Sequence, residues 1–299
     1  MVETVPNSRG YGMKSGYVDS PAGELFYEIS GSGDGAPLVC IHGGPGFCSY
    51  YLAPLHALAD LLPVVLYDQA GCGRARRGGP RKLFSVEGFV LELEALRCAL
   101  GVETLHLFGH SFGGVVAGEY ALRYPERVKS IIFGSVSIDI PRWISDSQRL
   151  LAQLSLMDRM ILREGERTGI TNSPEYARAL AAYYRRFVYG FDEKPETITQ
   201  SERESDTQTY ATVWGANELL ANGACKSYSL TPRLAEITCP TLFVCGRYDE
   251  ATPEAHEFFA SQCPRSALRI FENSAHHPHI TDEEAFLARL REFFTTDQH

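Results

Sequence analysis

The sequence has no long run of lysine and arginine, no C-x-x-C pair, no H-E-x-x-H pattern and no apolar stretch of membrane-spanning length. With a formal net charge of −9 and no basic run to offset it, the chain is not expected to bind nucleic acid or an anionic membrane, which select basic surfaces. The short basic segment Arg74, Arg76, Arg77, Arg81 and Lys82 is the local exception and reads as a solvated loop. The opening residues MVETVPNSRGYGMK include Glu3, Pro6 and Arg9. They offer neither a signal-peptide core nor an anchor, so a cytoplasmic location is expected. Eight cysteines without C-x-x-C spacing, with Cys40, Cys98, Cys239 and Cys245 inside apolar runs, read as reduced and mostly buried thiols. The cluster His276, His277, His279 has no partner spacing typical of a metal site; no metal and no cofactor are expected. Internal repeats and low-complexity tracts are also lacking.

What is present suffices for a large core: 299 residues, 44% hydrophobic and 22% charged. Short apolar runs at 37–41, 64–67, 105–108, 129–133, 241–245 and 268–271 read as strands. Helical spacing at 86–100 and 113–124 falls between them, and such alternation predicts an α/β fold, a mostly parallel sheet with helices on both faces. From about 140 to 229 the strand pattern stops, with helices expected at 148–163, 174–189 and 196–204. The expected organisation is a core at 1–139, an inserted helical cap at 140–229 and a second core segment at 230–299. Such a cap would close over the strand ends where open α/β sheets bind ligands.

The strand at 105–108 runs into Gly109–His110–Ser111–Phe112–Gly113 and then a helical segment. This is the setting in which G-x-S-x-G forms the nucleophile elbow of an α/β-hydrolase, lifting the serine hydroxyl off the sheet at a helix N-terminus. Ser111 is therefore the candidate nucleophile. An earlier strand ends in His42–Gly43–Gly44–Pro45–Gly46, where that fold supplies an oxyanion donor. The amides of Gly44 and Phe112 are the candidates. A serine needs a histidine to take its proton and a carboxylate to orient that histidine, in the chain order Ser, Asp or Glu, His. Asp249 follows the 241–245 strand and is the candidate acid. His276, the first histidine after the 268–271 strand, is the candidate base, with His277 its competitor. His42, His56, His106, His110 and His256 lie outside that order and read as structural or surface residues.

Together, HGGPG at 42–46, YDQAGCGR at 67–74, GHSFGG at 109–114 and GRYDE at 246–250 resemble the proline iminopeptidase family of α/β-hydrolases, and N-S-A-H at 273–276 is similar to its histidine loop. The resemblance spans nearly the whole chain outside the cap; Ala75 stands where the family commonly has serine. It implies an aminopeptidase that removes an N-terminal residue such as proline or alanine through an acyl-enzyme. It also implies that Glu250 and Glu218, the latter in Gly215–Ala216–Asn217–Glu218, recognise the substrate's free amine. A carboxylate pair suits that role, because a desolvated ammonium needs opposite charge. The implied partner is a small molecule or short peptide with a free amino terminus; oligomeric state stays open. Three alternatives remain: an amidase that deaminoacylates a natural-product intermediate, an esterase without amine recognition, and a non-catalytic receptor. Tyr183, Tyr184, Phe187, Tyr189 and Trp214 either line an apolar site or pack the cap.

Overall fold

A computed structural model describes residues 3–6, 12–33, 35–77, 84–190 and 193–296. The strands are β1 (Glu3–Pro6), β2 (Gly12–Ser20), β3 (Gly23–Ser30), β4 (Leu38–Ile41), β5 (Val64–Asp68), β6 (Arg76–Arg77), β7 (Leu105–His110), β8 (Val128–Gly134), β9 (Thr241–Gly246) and β10 (Ser266–Phe271). They form one sheet in the order β1-β2-β3-β5-β4-β7-β8-β9-β10, with β6 paired to β3. From β5 to β10 neighbours are parallel, whereas β1, β2 and β3 form an antiparallel meander at one edge. The expected α/β-hydrolase fold is borne out. Strands β4, β5, β7 and β9 are buried at every position, which is why they read as unbroken apolar runs.

The core helices are α1 (Val86–Leu100), α2 (Gly113–Arg123), α8 (Pro253–Gln262), α9 (Pro278–Thr281) and α10 (Glu283–Thr296). Helix α1 starts where the Ser85 side chain accepts from the Gly88 amide and stops at Gly101, whose φ of 69° only glycine adopts easily. Two large apolar clusters fill the molecule, one centred on Leu107, Val115 and Phe243, the other on Leu66, Phe108 and Phe286.

Between β8 and β9 lie α3 (Ile140–Leu151), α4 (Leu156–Thr168), α5 (Pro174–Tyr184), α6 (Glu196–Arg203) and α7 (Thr207–Val213), with a π-turn over Arg185–Tyr189. The single helix expected at 148–163 is two helices. Ser155 accepts from the Asp158 amide and starts a new helix there, a local capping bond that outcompetes continuation. An antiparallel bridge between Asp139 and Ser229 ties the outgoing and returning chain, and Asp139 Oδ2 accepts from the hydroxyls of Ser229 and Thr231. A smaller apolar cluster of Leu150, Leu162, Tyr176, Tyr183 and Phe187 holds α3, α4, α5 and the π-turn together, while Ile198 of α6 and Val213 of α7 join the two large clusters.

One expectation is corrected. Arg74 is not a solvated loop residue: its guanidinium donates to Asp68 at 2.9 Å, Glu28 at 2.6 Å and Ser49 at 2.9 Å and lies over the rings of Phe26 and Tyr50. Arg76 and Arg77 form β6, and Arg81 and Lys82 lie outside the described residues. The cysteines are free and mostly buried, as expected; Cys98 is exposed, because the apolar run around it is the amphipathic helix α1 and Cys98 sits on its outer face.

Candidate functional site

The parallel strands end together, and the loops leaving those ends carry most of the residues singled out in the sequence. Ser111 sits at the turn from β7 into α2 with φ of 53°, a left-handed conformation that costs a side-chain-bearing residue about 1 kcal/mol or more. The neighbouring glycines make that turn possible. A Cβ on Gly113 would lie 2.2 Å from the Ile41 carbonyl oxygen, and one on Gly109 2.5 Å from that of Gly113. Gly44, with φ of 113°, lies in the loop facing the serine. Among the described residues neither the Gly44 nor the Phe112 amide donates a hydrogen bond elsewhere. The Phe112 ring itself is buried against Phe89.

Asp249 follows β9 and is buried; its Oδ1 accepts from His276 Nδ1 at 2.7 Å and from the Ala251 amide at 2.8 Å. The carboxylate can only accept, so the proton is on Nδ1 and Nε2 of His276 is left with a lone pair. His276, rather than His277, meets Asp249. Ser111 and His276 line the same cavity. Among the described residues no hydrogen bond yet joins the serine hydroxyl to the ring, a looseness common where catalytic contacts tighten only around substrate.

His42, His56, His106 and His256 are structural, each engaged with nearby chain: His42 with Gly43 and Gln69, His56 with Ser30 and Glu28, His106 with Ser130, His256 with Val136 and Thr252. His110 does more. The Gly43 amide donates to the Tyr51 hydroxyl at 2.8 Å, Tyr51 meets His110 Nδ1 at 2.9 Å, and His110 Nε2 meets the His276 carbonyl at 2.8 Å. The carbonyl accepts only, so Nε2 carries the proton, and Tyr51 donates to Nδ1. Burial holds the His110 ring neutral, its pKa well below the usual histidine range. One directed chain therefore links the Gly43–Gly44 loop to the His276 loop. Nothing in the sequence signals this role of Tyr51, which stands in a 3-10 helix (Ser49–Leu58) with no motif.

Glu250 is 1% exposed, and neither of its carboxylate oxygens has a hydrogen-bond partner among the described residues. Burial, together with Glu218 and Asp249 nearby, raises its pKa well above the ordinary carboxylate range. Glu218 comes from the segment after α7; Tyr210 donates to its Oε1 at 2.7 Å and the Trp143 indole to its carbonyl at 2.9 Å. Burial raises its pKa too. Ser111, His276, Gly44, Glu218 and Glu250 all border one cavity of about 340 Å³, with Phe47, Tyr184, Val188 and Tyr189 on its apolar wall. Of the five aromatic residues singled out in the sequence, Tyr184 and Tyr189 line the cavity, while Tyr183, Phe187 and Trp214 pack in apolar clusters.

A serine on a strained strand-to-helix turn, facing the Gly44 loop and sharing a cavity with an Asp-supported imidazole, defines a hydrolase of the α/β type. Residues 36–283 match the sequence model of the alpha/beta hydrolase fold. The proline iminopeptidase of Heyndrickxia coagulans is 39% identical over 94% of this chain and 98% of its own length. That of Saccharolobus solfataricus is 33% identical over 90% of this chain and 87% of its own. Among solved structures, proline iminopeptidase from Mycobacterium smegmatis superposes with a TM-score of 0.88 at 30% identity, covering 95% of this chain and 98% of that one. The structure of VinJ gives 0.86 at 28% identity, with 98% and 97% covered. The chain belongs to the proline iminopeptidase family of α/β-hydrolases and is an enzyme of aminopeptidase type. Among the described residues no helix is long and apolar enough to cross a membrane.

Proposed function

We propose that this enzyme is a serine hydrolase that removes one N-terminal aminoacyl residue, proline in the first instance, from a short peptide or amide. The observation that carries the reading is the Glu250 carboxylate, buried and unpartnered beside Glu218, in the cavity that holds Ser111 and His276. A buried charge without a partner is costly, and persists where a cationic ligand supplies the partner. A substrate ammonium supported by Glu250 and Glu218 leaves room on its amine side for nothing further, so cleavage stops after one residue.

In this mechanism Ser111 Oγ attacks the carbonyl carbon and passes its proton to His276 Nε2. Asp249 fixes the tautomer through the 2.7 Å bond to Nδ1 and stabilises the imidazolium that forms. The amides of Gly44 and Phe112 donate to the oxygen as it becomes negative, each contributing roughly 3 kcal/mol in comparable sites. His276 then protonates the departing amine, and water, deprotonated by the same ring, releases the amino acid. Residues 140–229 serve as the cap, contributing Glu218 and the aromatic wall, while 1–139 and 230–299 supply the reacting groups.

Matched aminoacyl-arylamides with a free and an acetylated amine test the reading. Acetylation is expected to lower kcat/KM by about two orders of magnitude or more, the effect of removing one member of a buried charge pair. Equal rates on the two substrates would remove amine recognition and leave an esterase or amidase of broader scope.

A further inference from the structure

His110, His277 and His279 form a second imidazole group that the reaction above does not use. The sequence joined His277 and His279 to His276, but His276 turns to Asp249, and the fold puts His110 in its place. One ring nitrogen from each of the three lies within 4.8 Å of the others, and all three residues are buried. Their ring centroids are separated by 5.2 Å (His110 to His277), 5.0 Å (His110 to His279) and 5.6 Å (His277 to His279). Three imidazoles bound through nitrogen to one tetrahedral zinc ion have centroids about 5 Å apart, from the usual Zn–N distance and angle. Tetrahedral zinc sets its nitrogens about 3.3 Å apart, so the three ring nitrogens, now within 4.8 Å of one another, draw closer to share an ion.

A second observation points the same way. His277 Nδ1 and both ring nitrogens of His279 make no well-formed hydrogen bond among the described residues, the Tyr51 backbone being a loose partner of His279, and buried polar atoms in that state need an explanation such as an ion. His110 Nε2 is held by the His276 carbonyl, the kind of outer hydrogen bond that metal-bound histidines commonly make. Its Nδ1 accepts from the Tyr51 hydroxyl, a hydrogen bond that an ion at this nitrogen replaces by displacing the Tyr51 side chain. Burial keeps all three rings neutral, His279 with a pKa pushed down to about 3, and neutral imidazole is the form that binds metal. His110 and His277 border the cavity, which gives an ion its way in.

We infer that His110, His277 and His279 bind a nitrogen-preferring divalent cation such as Zn²⁺, entering from the cavity, and that the bound ion inhibits the enzyme. The His110 and His276 rings are 4.8 Å apart. A dication at the cluster opposes formation of the His276 imidazolium. Binding stands on coordination alone, whereas inhibition rests on His276 acting as the base proposed above.

The experiment titrates chelator-treated protein carrying Ser111→Ala with Zn²⁺ by calorimetry, and with Co²⁺ by visible absorption, which reports tetrahedral coordination. His277→Gln, His279→Gln, His276→Gln and Glu250→Gln are compared in that background, with circular dichroism as the check on folding. One ion per chain is expected, weakened by roughly tenfold or more in His277→Gln and His279→Gln, since losing even an outer partner costs that much. His276→Gln and Glu250→Gln should keep the ion. Should His279→Gln fail to fold, His277→Gln, at the cavity edge, decides alone. No binding, or binding lost only with His276 or Glu250, overturns the site. Zn²⁺ should also inhibit turnover in the wild-type enzyme; an ion that binds at the cluster and leaves turnover unchanged overturns the inhibitory role, independently of whether Ser111→Ala abolishes catalysis.

Discussion

Replacing Glu250 by glutamine changes activity and stability in opposite directions if the carboxylate exists to receive an ammonium. In the free enzyme both oxygens are buried and unpartnered, so the ionised group is a burden on the fold; the nearly isosteric amide removes the charge. A gain in unfolding free energy is expected once pH exceeds the raised folded pKa of Glu250, because the amide, although its polar atoms are also unpartnered, carries no charge to desolvate. The substrate, by contrast, loses the partner of its desolvated ammonium, worth about 2–5 kcal/mol. At 1.4 kcal/mol per factor of ten, that is roughly 30-fold to several thousandfold in kcat/KM.

The pH dependence gives the same test a second axis. Glu250 holds its proton more tightly folded than unfolded, because burial and the Glu218 charge raise its pKa. Its contribution to stability is therefore complete below the ordinary carboxylate range and is lost as pH rises through the raised folded value. Wild type should lose stability over that interval, and Glu250→Gln should lose less. Kinetics on a free-amine aminoacyl-arylamide, with denaturant unfolding at several pH values, measure both effects. A variant that unfolds more easily yet keeps its kcat/KM would refute the reasoning and make Glu250 a structural residue.

Ser111→Ala should abolish turnover with the fold intact, and Ser111→Gly should do the same while raising stability by about 1 kcal/mol, because glycine relieves the strained φ of 53°; unfolding curves and turnover check both, and a more stable alanine than glycine variant would contradict the strain. Tyr51→Phe leaves the Gly43 amide and His110 Nδ1 without the hydroxyl that joins them, so a stability loss of about 1–3 kcal/mol with a reduced kcat is expected. An unchanged kcat would detach the relay from catalysis. Glu92 is fully buried and accepts from the Ala70 amide, and burial pushes its pKa up to about 8. Its stabilising share is complete below about pH 4.5 and disappears as pH rises through about 8; Glu92→Gln should flatten the stability profile across that window, as followed by chemical denaturation.

How much of this was legible in the sequence depends on the range of the interaction that fixes each part. The buried parallel strands are apolar at every position, so β4, β5, β7 and β9 were readable to within two residues. The β2–β3 hairpin has one wetter face, and its mixed composition in GMKSGYVDS and GELFYEIS gave no such run. Ser111, Asp249 and His276 each stand just past a strand end, where the sheet itself brings distant loops together, so local pattern and chain order located them. Glu218 lies in the helical insertion, where no sheet imposes register, and only family resemblance pointed to it. Arg74, Tyr51 and His110 were misread or passed over because their partners are far away in sequence: Glu28 for Arg74, His110 for Tyr51 and His276 for His110. The same reason explains why the adjacency of His276, His277 and His279 did not show that His110 packs among them. Side chains at 276 and 277 diverge, one toward Asp249 and the other toward His110 and Tyr51. What the fold adds to the motifs is therefore the set of contacts between loops that no spacing encodes, and in this enzyme those contacts connect the Gly43–Gly44 loop to the His276 loop.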